Sequence, residues 1–300
     1  MSTGSRRLRT TVVAFTVTAL ARKVLQNRPP GGGARWSRTN HRGEPISLLE
    51  GPAVAVGLVC GLAAGGVSRR TGALALATGA SAVFGVIDDL AEDTSERSKG
   101  LRGHLRAARQ GRLTTGGLKV LGIGASGLVA AALLVDRDAG PVRRAVDVLA
   151  DGALVAASAN LVNLLDLRPG RALKVSTLAA SVLSVSSAQV PVVVGAASAA
   201  WSGDLAERDM LGDCGANALG ALLGAATVAS TPRPVRSTVL AVVLGLTVVS
   251  ERVSFSRVIA ETPWLHVLDM IGRRPVDTPV RGDTSERVNT SERTPGSGRA

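Results

Sequence analysis

Uncharged, mostly apolar runs recur along this chain at 51–68, 71–87, 120–135, 175–203 and 214–232, with shorter ones at 10–21, 152–165 and 237–250. A bilayer core about 30 Å thick asks for roughly 20 such residues per helix, with about 17 as the lower end. Several runs reach that length, and flanking Arg or Lys extend the shorter ones by snorkelling to the interface. Composition alone would not decide the matter, since 45% hydrophobic residues and a mean hydropathy of +0.25 also suit soluble proteins. The distribution of the runs does. The chain reads as an all-α, polytopic integral membrane protein, and the Gly, Ala and Ser filling the runs suit close helix packing in lipid.

The spacing predicts nine transmembrane helices, at about 8–24, 51–68, 71–88, 119–135, 146–164, 174–189, 190–203, 214–231 and 237–253. The uncharged run 175–203 is too long for one straight span, and Pro191 offers a break because proline cannot donate to the helix ladder. Nine spans place the loops 25–50, 89–118, 165–173 and 204–213 and the tail on one side, which then holds 25 of the 35 Arg and Lys. The positive-inside rule makes that side cytoplasmic, in the plasma membrane. Residues 1–253 form the membrane domain. Residues 254–274 mix apolar and charged positions too evenly to span, and Trp264, Leu265, Leu268 and Ile271 predict a helix lying on the membrane surface. The polar tail 275–300 reads as disordered.

The net charge of +12 invites a nucleic-acid partner, but aromatic residues are only 2% and offer no stacking surface. Basic cytoplasmic loops account for the charge more simply, and no nucleic acid is expected. Cys60 and Cys214 both fall in or beside apolar segments and make no disulfide framework. The residues before the first apolar run resemble a signal peptide, but the run ends in Arg22 and Lys23 without a small-residue cleavage site and reads as a span.

Three polar clusters break the apolar text. "FGVIDDLAED" (84–93) ends an apolar run with adjacent Asp88 and Asp89, and intramembrane or boundary carboxylates are functional candidates by their cost. "NLVNLLDLRPG" (160–170) spaces Asn160, Asn163 and Asp166 three apart, on one helical face. "MLGDCGANALG" (210–220) sets Asp213 among Gly212 and Gly215 where a helix begins, a setting that favours close approach of phosphate. In the nine-span topology all three clusters share the cytoplasmic face. Converging carboxylates and amides suit an oxygen-liganded cation such as Mg²⁺, which takes carboxylates together with substrate phosphates.

These three segments, in this order, resemble the signature segments of the polyprenyl-phosphate N-acetylhexosamine-1-phosphate transferases. "TNHRGEPISLLEG" (39–51) and "SKGLRGHLRAARQGRLTTGGLK" (98–119) extend the likeness, so that it covers residues 1 to about 250. The resemblance implies an enzyme that moves a sugar-1-phosphate from a UDP-sugar to a polyprenyl phosphate (undecaprenyl or decaprenyl) and releases UMP. It opens the synthesis of cell-wall or surface glycans, with an N-acetylhexosamine as the favoured sugar. It implies Asp213 and Asp88 as ligands of Mg²⁺, with Mn²⁺ an admissible substitute. Asp88, Asp89 and Asp166 would be catalytic: Asp88 orienting or deprotonating the lipid phosphate, Asp89 supporting it. Asn160, Asn163, Lys99, Arg102, Arg168, Arg171, Arg42, Gly212 and Gly215 would meet substrate, with Arg106 a weaker contact. Nothing in the likeness sets the oligomeric state, and a homodimer stays open.

The chain departs from the family in places. Glu92 and Asp93 follow the aspartate pair where an aspartate or asparagine is usual. After Asp166 the text turns to Leu167-Arg168-Pro169-Gly170-Arg171 instead of a glycine and a further Asp-Gly pair. The late histidine-rich loop has no counterpart, because His41, His104 and His266 are scattered. Two rivals keep a place for these reasons, a catalytically inactive membrane scaffold and a transporter or flippase. Asp151 inside the fifth span is the residue a transporter would explain. Gly122, Gly124 and Gly127 have the spacing of a dinucleotide fingerprint, but no apolar strand with an acidic end follows.

Overall fold

The computed structural model describes residues 2–91 and 115–275. Helix α1 (Thr3–Asn27) leads through a 3-10 turn (Gly33–Trp36) into a small hairpin of β1 (Ser37–Thr39) and β2 (Pro45–Ser47), paired antiparallel with Arg38 opposite Ile46. Then come α2 (Glu50–Ala64), α3 (Arg69–Ala91), α4 (Thr115–Leu134), α5 (Pro141–Leu165), α6 (Arg171–Leu183), α7 (Pro191–Asp204), α8 (Gly212–Ser230) and α9 (Arg233–Ser250). Two short helices, α10 (Phe255–Glu261) and α11 (Pro263–Met270), close the described chain. The protein is almost wholly helical, and each of the nine expected spans holds a helix. Glu92, Asp93, Lys99, Arg102, Arg106, His104 and the tail from 276 lie outside the described residues.

Prolines start several helices. Pro141, Pro191 and Pro263 each open theirs, where the missing N–H would have had no intrahelical partner. Pro191 therefore does divide the long uncharged run, and Pro263 divides the expected surface helix into two. Among the described residues four helices are long and apolar enough to cross a membrane: α3, α4, α5 and α9. Helices α2, α6 and α7 have 15, 13 and 14 residues. At 1.5 Å per residue they reach only about 20 Å, short of a full bilayer core.

Helix α8 is the axis of the bundle. Every residue from Cys214 to Val228 is buried, as a helix apolar on all sides must be. Its neighbours approach closely because glycine lets backbones touch. A Cβ on Gly220 would lie 2.3 Å from the carbonyl of Ser158 on α5, and one on Gly85 of α3 would lie 2.4 Å from the carbonyl of Asp213. Helix α9 is the opposite case and buries only Val243. Ion pairs hold it to α5: Arg233 to Asp147 at 2.7 Å and Arg236 to Asp151 at 2.5 Å. Asp151 thus has a structural partner, away from the clusters described next.

Neighbouring helices run antiparallel, so one end of the bundle collects the C-termini of α1, α3, α5 and α7 with the N-termini of α2, α4, α6 and α8. Contacts across that end fix this arrangement: Asp89 with Asp213, Gly170 with Asp204, and Arg22 with Asp209. The hairpin joins them through hydrogen bonds of Ser47 to Arg208 and Met210. All three sequence clusters lie at this polar end.

Gly85→Ala should lower the melting temperature in detergent, since the added carbon has no room against backbone; overpacking typically costs about 1–3 kcal/mol. Gly124→Ala, where a Cβ would meet nothing within 4 Å, should leave it unchanged. Equal melting temperatures for the two variants would show that α3 and α8 do not pack as described.

Candidate functional site

Adjacent residues on a helix point about 100° apart, so Asp88 and Asp89 at the end of α3 cannot share a task. Asp89 turns to α8. Its two carboxylate oxygens accept the backbone N–H groups of Asp213 and Cys214, each at 2.9 Å. It thereby caps a helix whose own preceding residue, Leu211, supplies no side-chain cap. The backbone carbonyl of Asp89 in turn accepts Arg38 from the hairpin. Gly212, at φ 57°, takes the left-handed turn into α8, and a Cβ there would come 3.0 Å from Asp89. Asp88 turns to Lys119 on α4, whose ammonium lies 2.6 Å from Asp88 and 2.6 Å from Asp213. Asn217, one turn into α8, donates to the Asp213 carbonyl at 2.7 Å.

Asp166 follows the last residue of α5, buried, with one carboxylate oxygen that has no hydrogen-bond partner among the described residues. Burial holds its carboxyl well above the usual carboxylate range; the neighbouring Asp204 pushes the same way, and the Gly212 N–H only partly offsets them. Asp204 spends one oxygen on the Gly170 N–H at 2.7 Å and leaves the other unpartnered. Both oxygens of the fully buried Glu50 are unpartnered too, with Arg22 at 3.8 Å. Asn163 is half-buried and Asn160 exposed, so the three residues expected on one helical face are not presented alike: Asp166 lies past the end of α5 and is buried.

Several expected substrate contacts are engaged elsewhere. The α8 N-terminus, read as a phosphate seat through Gly212 and Gly215, already carries the Asp89 carboxylate. Gly215 packs against α2, where a Cβ would lie 2.8 Å from the Gly51 Cα. Arg42 pairs with buried Glu207 at 3.1 Å. Arg171 is 5% exposed and forms a two-pronged pair with Asp269 of α11, at 2.9 and 3.1 Å. Arg168 is half-buried, has no ion-pair partner among the described residues, and acts electrostatically on His41. The structure thus brings Asp88, Asp89, Asp166 and Asp213 together and ties Arg42 and Arg171 into the frame. Sequence reasoning missed Lys119, Asn217, Glu50, Asp204 and Asp269. For Lys119 the signal was present, a single lysine set flush against an uncharged run.

The donor chemistry suits Mg²⁺. Asp88 and Asp213 bring hard oxygens close enough to share one cation, as their common contact with Lys119 demonstrates, and Asp213 also acts electrostatically on Asp166. Among the described residues, no three His, Cys, Asp or Glu side chains form a ready ligand set. Magnesium takes one or two protein carboxylates and completes its shell with phosphate and water.

Two outcomes follow for this end of the molecule. Asp89→Ala removes the side-chain acceptor of two α8 N-terminal amides and should cost about 1–2 kcal/mol in detergent unfolding, with Asp89→Asn closer to wild type. Burial works to raise the Asp269 carboxyl, but hydrogen bonds from Arg171 and the charges of Arg171, Arg273 and Lys174 hold it below its ordinary value. A depressed carboxyl stabilises the fold at pH above its unfolded value of about 3.9, and this is lost as pH falls through the lower folded value. Amide protection factors across α11, taken relative to the intrinsic exchange rate at each pH, should therefore be high at neutral pH and fall only below about pH 4; protection that faded near pH 6 would contradict it.

No family model and no curated protein matches this chain, so its function is argued from the geometry of this end.

Proposed function

We propose that the chain is a membrane-embedded phosphotransferase that moves a sugar-1-phosphate, with N-acetylhexosamine the favoured sugar, from a UDP-sugar to a polyprenyl phosphate and releases UMP. One observation carries the reading. Asp88 and Asp213, from segments far apart in the chain, converge on one ammonium at 2.6 Å each, at the end of a helical bundle built from apolar spans. A soluble nucleotide and a lipid phosphate can meet only at such a boundary. The short helices α2, α6 and α7 complete a nine-span domain in this reading, and the Arg- and Lys-rich loops put the polar end in the cytoplasm of a plasma-membrane protein.

Phosphoryl transfer asks the protein mainly for positioning and charge neutralisation. Asp89 fixes the start of α8, which sets where the Asp213 carboxylate points. Lys119 holds Asp88 and Asp213 side by side and offers a cation to an incoming phosphate oxygen. Asp88 orients the lipid phosphate, whose oxygens are already largely ionised at neutral pH. Asp213 and Asp88 would hold Mg²⁺, which, when bound, neutralises the diphosphate charge as UMP leaves. Asn163 and Asp166 border the nucleotide side. Asp151 gives a transporter little support, because Arg236 pairs it at the opposite end.

Purified protein in detergent, given Mg²⁺, undecaprenyl phosphate and a panel of UDP-sugars, should release UMP with one of them. Asp213→Asn and Asp88→Asn should each reduce that release by about 10²-fold or more, the usual size for loss of one preorganised charge at a reacting centre. Release at wild-type rates in both variants, or none with any sugar, would reject the transferase.

A further inference from the structure

The C-terminal segment does not hang from the bundle; it straps across the polar end. Asp269 on α11 receives Arg171 in two-pronged contact and Arg273 at 2.7 Å. Lys174 donates to the Asp269 carbonyl at 2.6 Å, and Arg171 reaches on to Ser256 of α10 at 3.0 Å. Beyond α11, Arg274 pairs with Glu44 of the hairpin loop at 2.6 Å, and Arg42 donates to the Pro275 carbonyl at 2.8 Å. The chain end is thus fastened at α6 and again at the hairpin.

The arrangement assembles positive charge. Among the described residues Arg42, Arg168, Arg171, Lys174, Arg273 and Arg274 gather around Glu44, Asp204, Glu207 and Asp269. His41 stands among Arg42, Arg168 and Arg273. Arg168 comes from the loop between α5 and α6, two residues after Asp166, whereas Arg273 comes from the strap. They share a neighbourhood only while the strap is docked. Most of these cations are paired, but Arg168 is half-buried and has no ion-pair partner among the described residues; a guanidinium left in that state suits an anionic ligand, and its geometry matches phosphate oxygens.

We propose that Asp269 is a positioning residue that latches the strap, and that the latched strap and Arg168 form a cationic rim which recognises a phosphate-bearing headgroup. Asp269 touches no ligand itself. Its carboxylate neutralises Arg171, holds Arg273 in place and keeps the rim closed. The inference rests on the transferase reading only for which phosphate arrives, nucleotide diphosphate or lipid phosphate.

The test uses the full chain in detergent with inorganic diphosphate as the probe, followed by calorimetry, and amide exchange over 255–275 as the latch readout. Wild type should bind diphosphate, and an excess of a short-chain prenyl phosphate should compete if the rim serves the lipid substrate; a UDP-sugar should compete if it serves the nucleotide. Arg168→Ala should weaken diphosphate about tenfold, the size of one lost charge-assisted hydrogen bond, while leaving exchange over 255–275 unchanged. Asp269→Asn should weaken binding as much and also release the strap, and Asp269→Glu should retain both properties. If Asp269→Asn fails to fold, Arg168→Ala and Asp269→Glu still decide. Absent diphosphate binding in wild type, unchanged binding in Arg168→Ala, or unchanged binding with a released strap would each overturn the proposal. UMP release separates the two claims: diphosphate binding without UMP release keeps the rim and rejects the transferase, and UMP release with unaltered KM in both variants does the reverse.

Discussion

The ammonium of Lys119, 2.6 Å from Asp88 and 2.6 Å from Asp213, is the contact on which the polar end depends. Two carboxylates drawn out of water toward each other repel, and burial raises the cost of both charges. One cation between them removes the repulsion and also sets the register of three helices, α3, α4 and α8. Asp89 adds the second constraint by capping α8 from α3. Neither contact would be available if α3 and α8 were held apart by side chains, so Gly85 belongs to the same device.

The two ends of the bundle use acids differently. At the far end the buried acids are paired, Asp147 with Arg233 and Asp151 with Arg236, which fastens α9 to α5. At the polar end Glu50, Asp166 and Asp204 keep carboxylate oxygens without hydrogen-bond partners among the described residues. Buried polar atoms are nearly always satisfied, so a concentration of exceptions marks a place organised for something besides stability. That asymmetry, more than the number of acids, separates a candidate site from a clamp.

The fold was legible because its signals are long. Apolar runs longer than a dozen residues, proline at helix starts and glycine at close crossings are all periodic or positional features of single segments. The aspartates were legible for the same reason, since a charge stands out in apolar text. Which aspartate does what was not, because Asp88 and Asp89 differ only by the helical rotation that aims one at Lys119 and the other at the start of α8. The arginines misled in the opposite direction. Arg42 and Arg171 lie in basic loops where any cation looks available, and their partners Glu207 and Asp269 are distant in sequence. Asp269 was passed over because its helix was read for its apolar face, of which Trp264, Leu268 and Ile271 are exposed and Leu265 half-buried; Asp269 holds the latch.

A helix N-terminus with glycine around it is ordinarily a place for a substrate's phosphate. Here Asp89 occupies that place, and the consequence reaches through the whole polar end. With the backbone amides of Asp213 and Cys214 already engaged, a phosphate arriving at the boundary has to be met by side-chain cations or by a metal. The protein carries both provisions. In the proposed transferase Asp88 and Asp213 would serve the metal, whereas Lys119 and Arg168 would serve the phosphate directly. Moving the cap from substrate to Asp89 leaves α8 rigid before any ligand arrives, so that binding energy need not order it and remains for the differences between one phosphate and another.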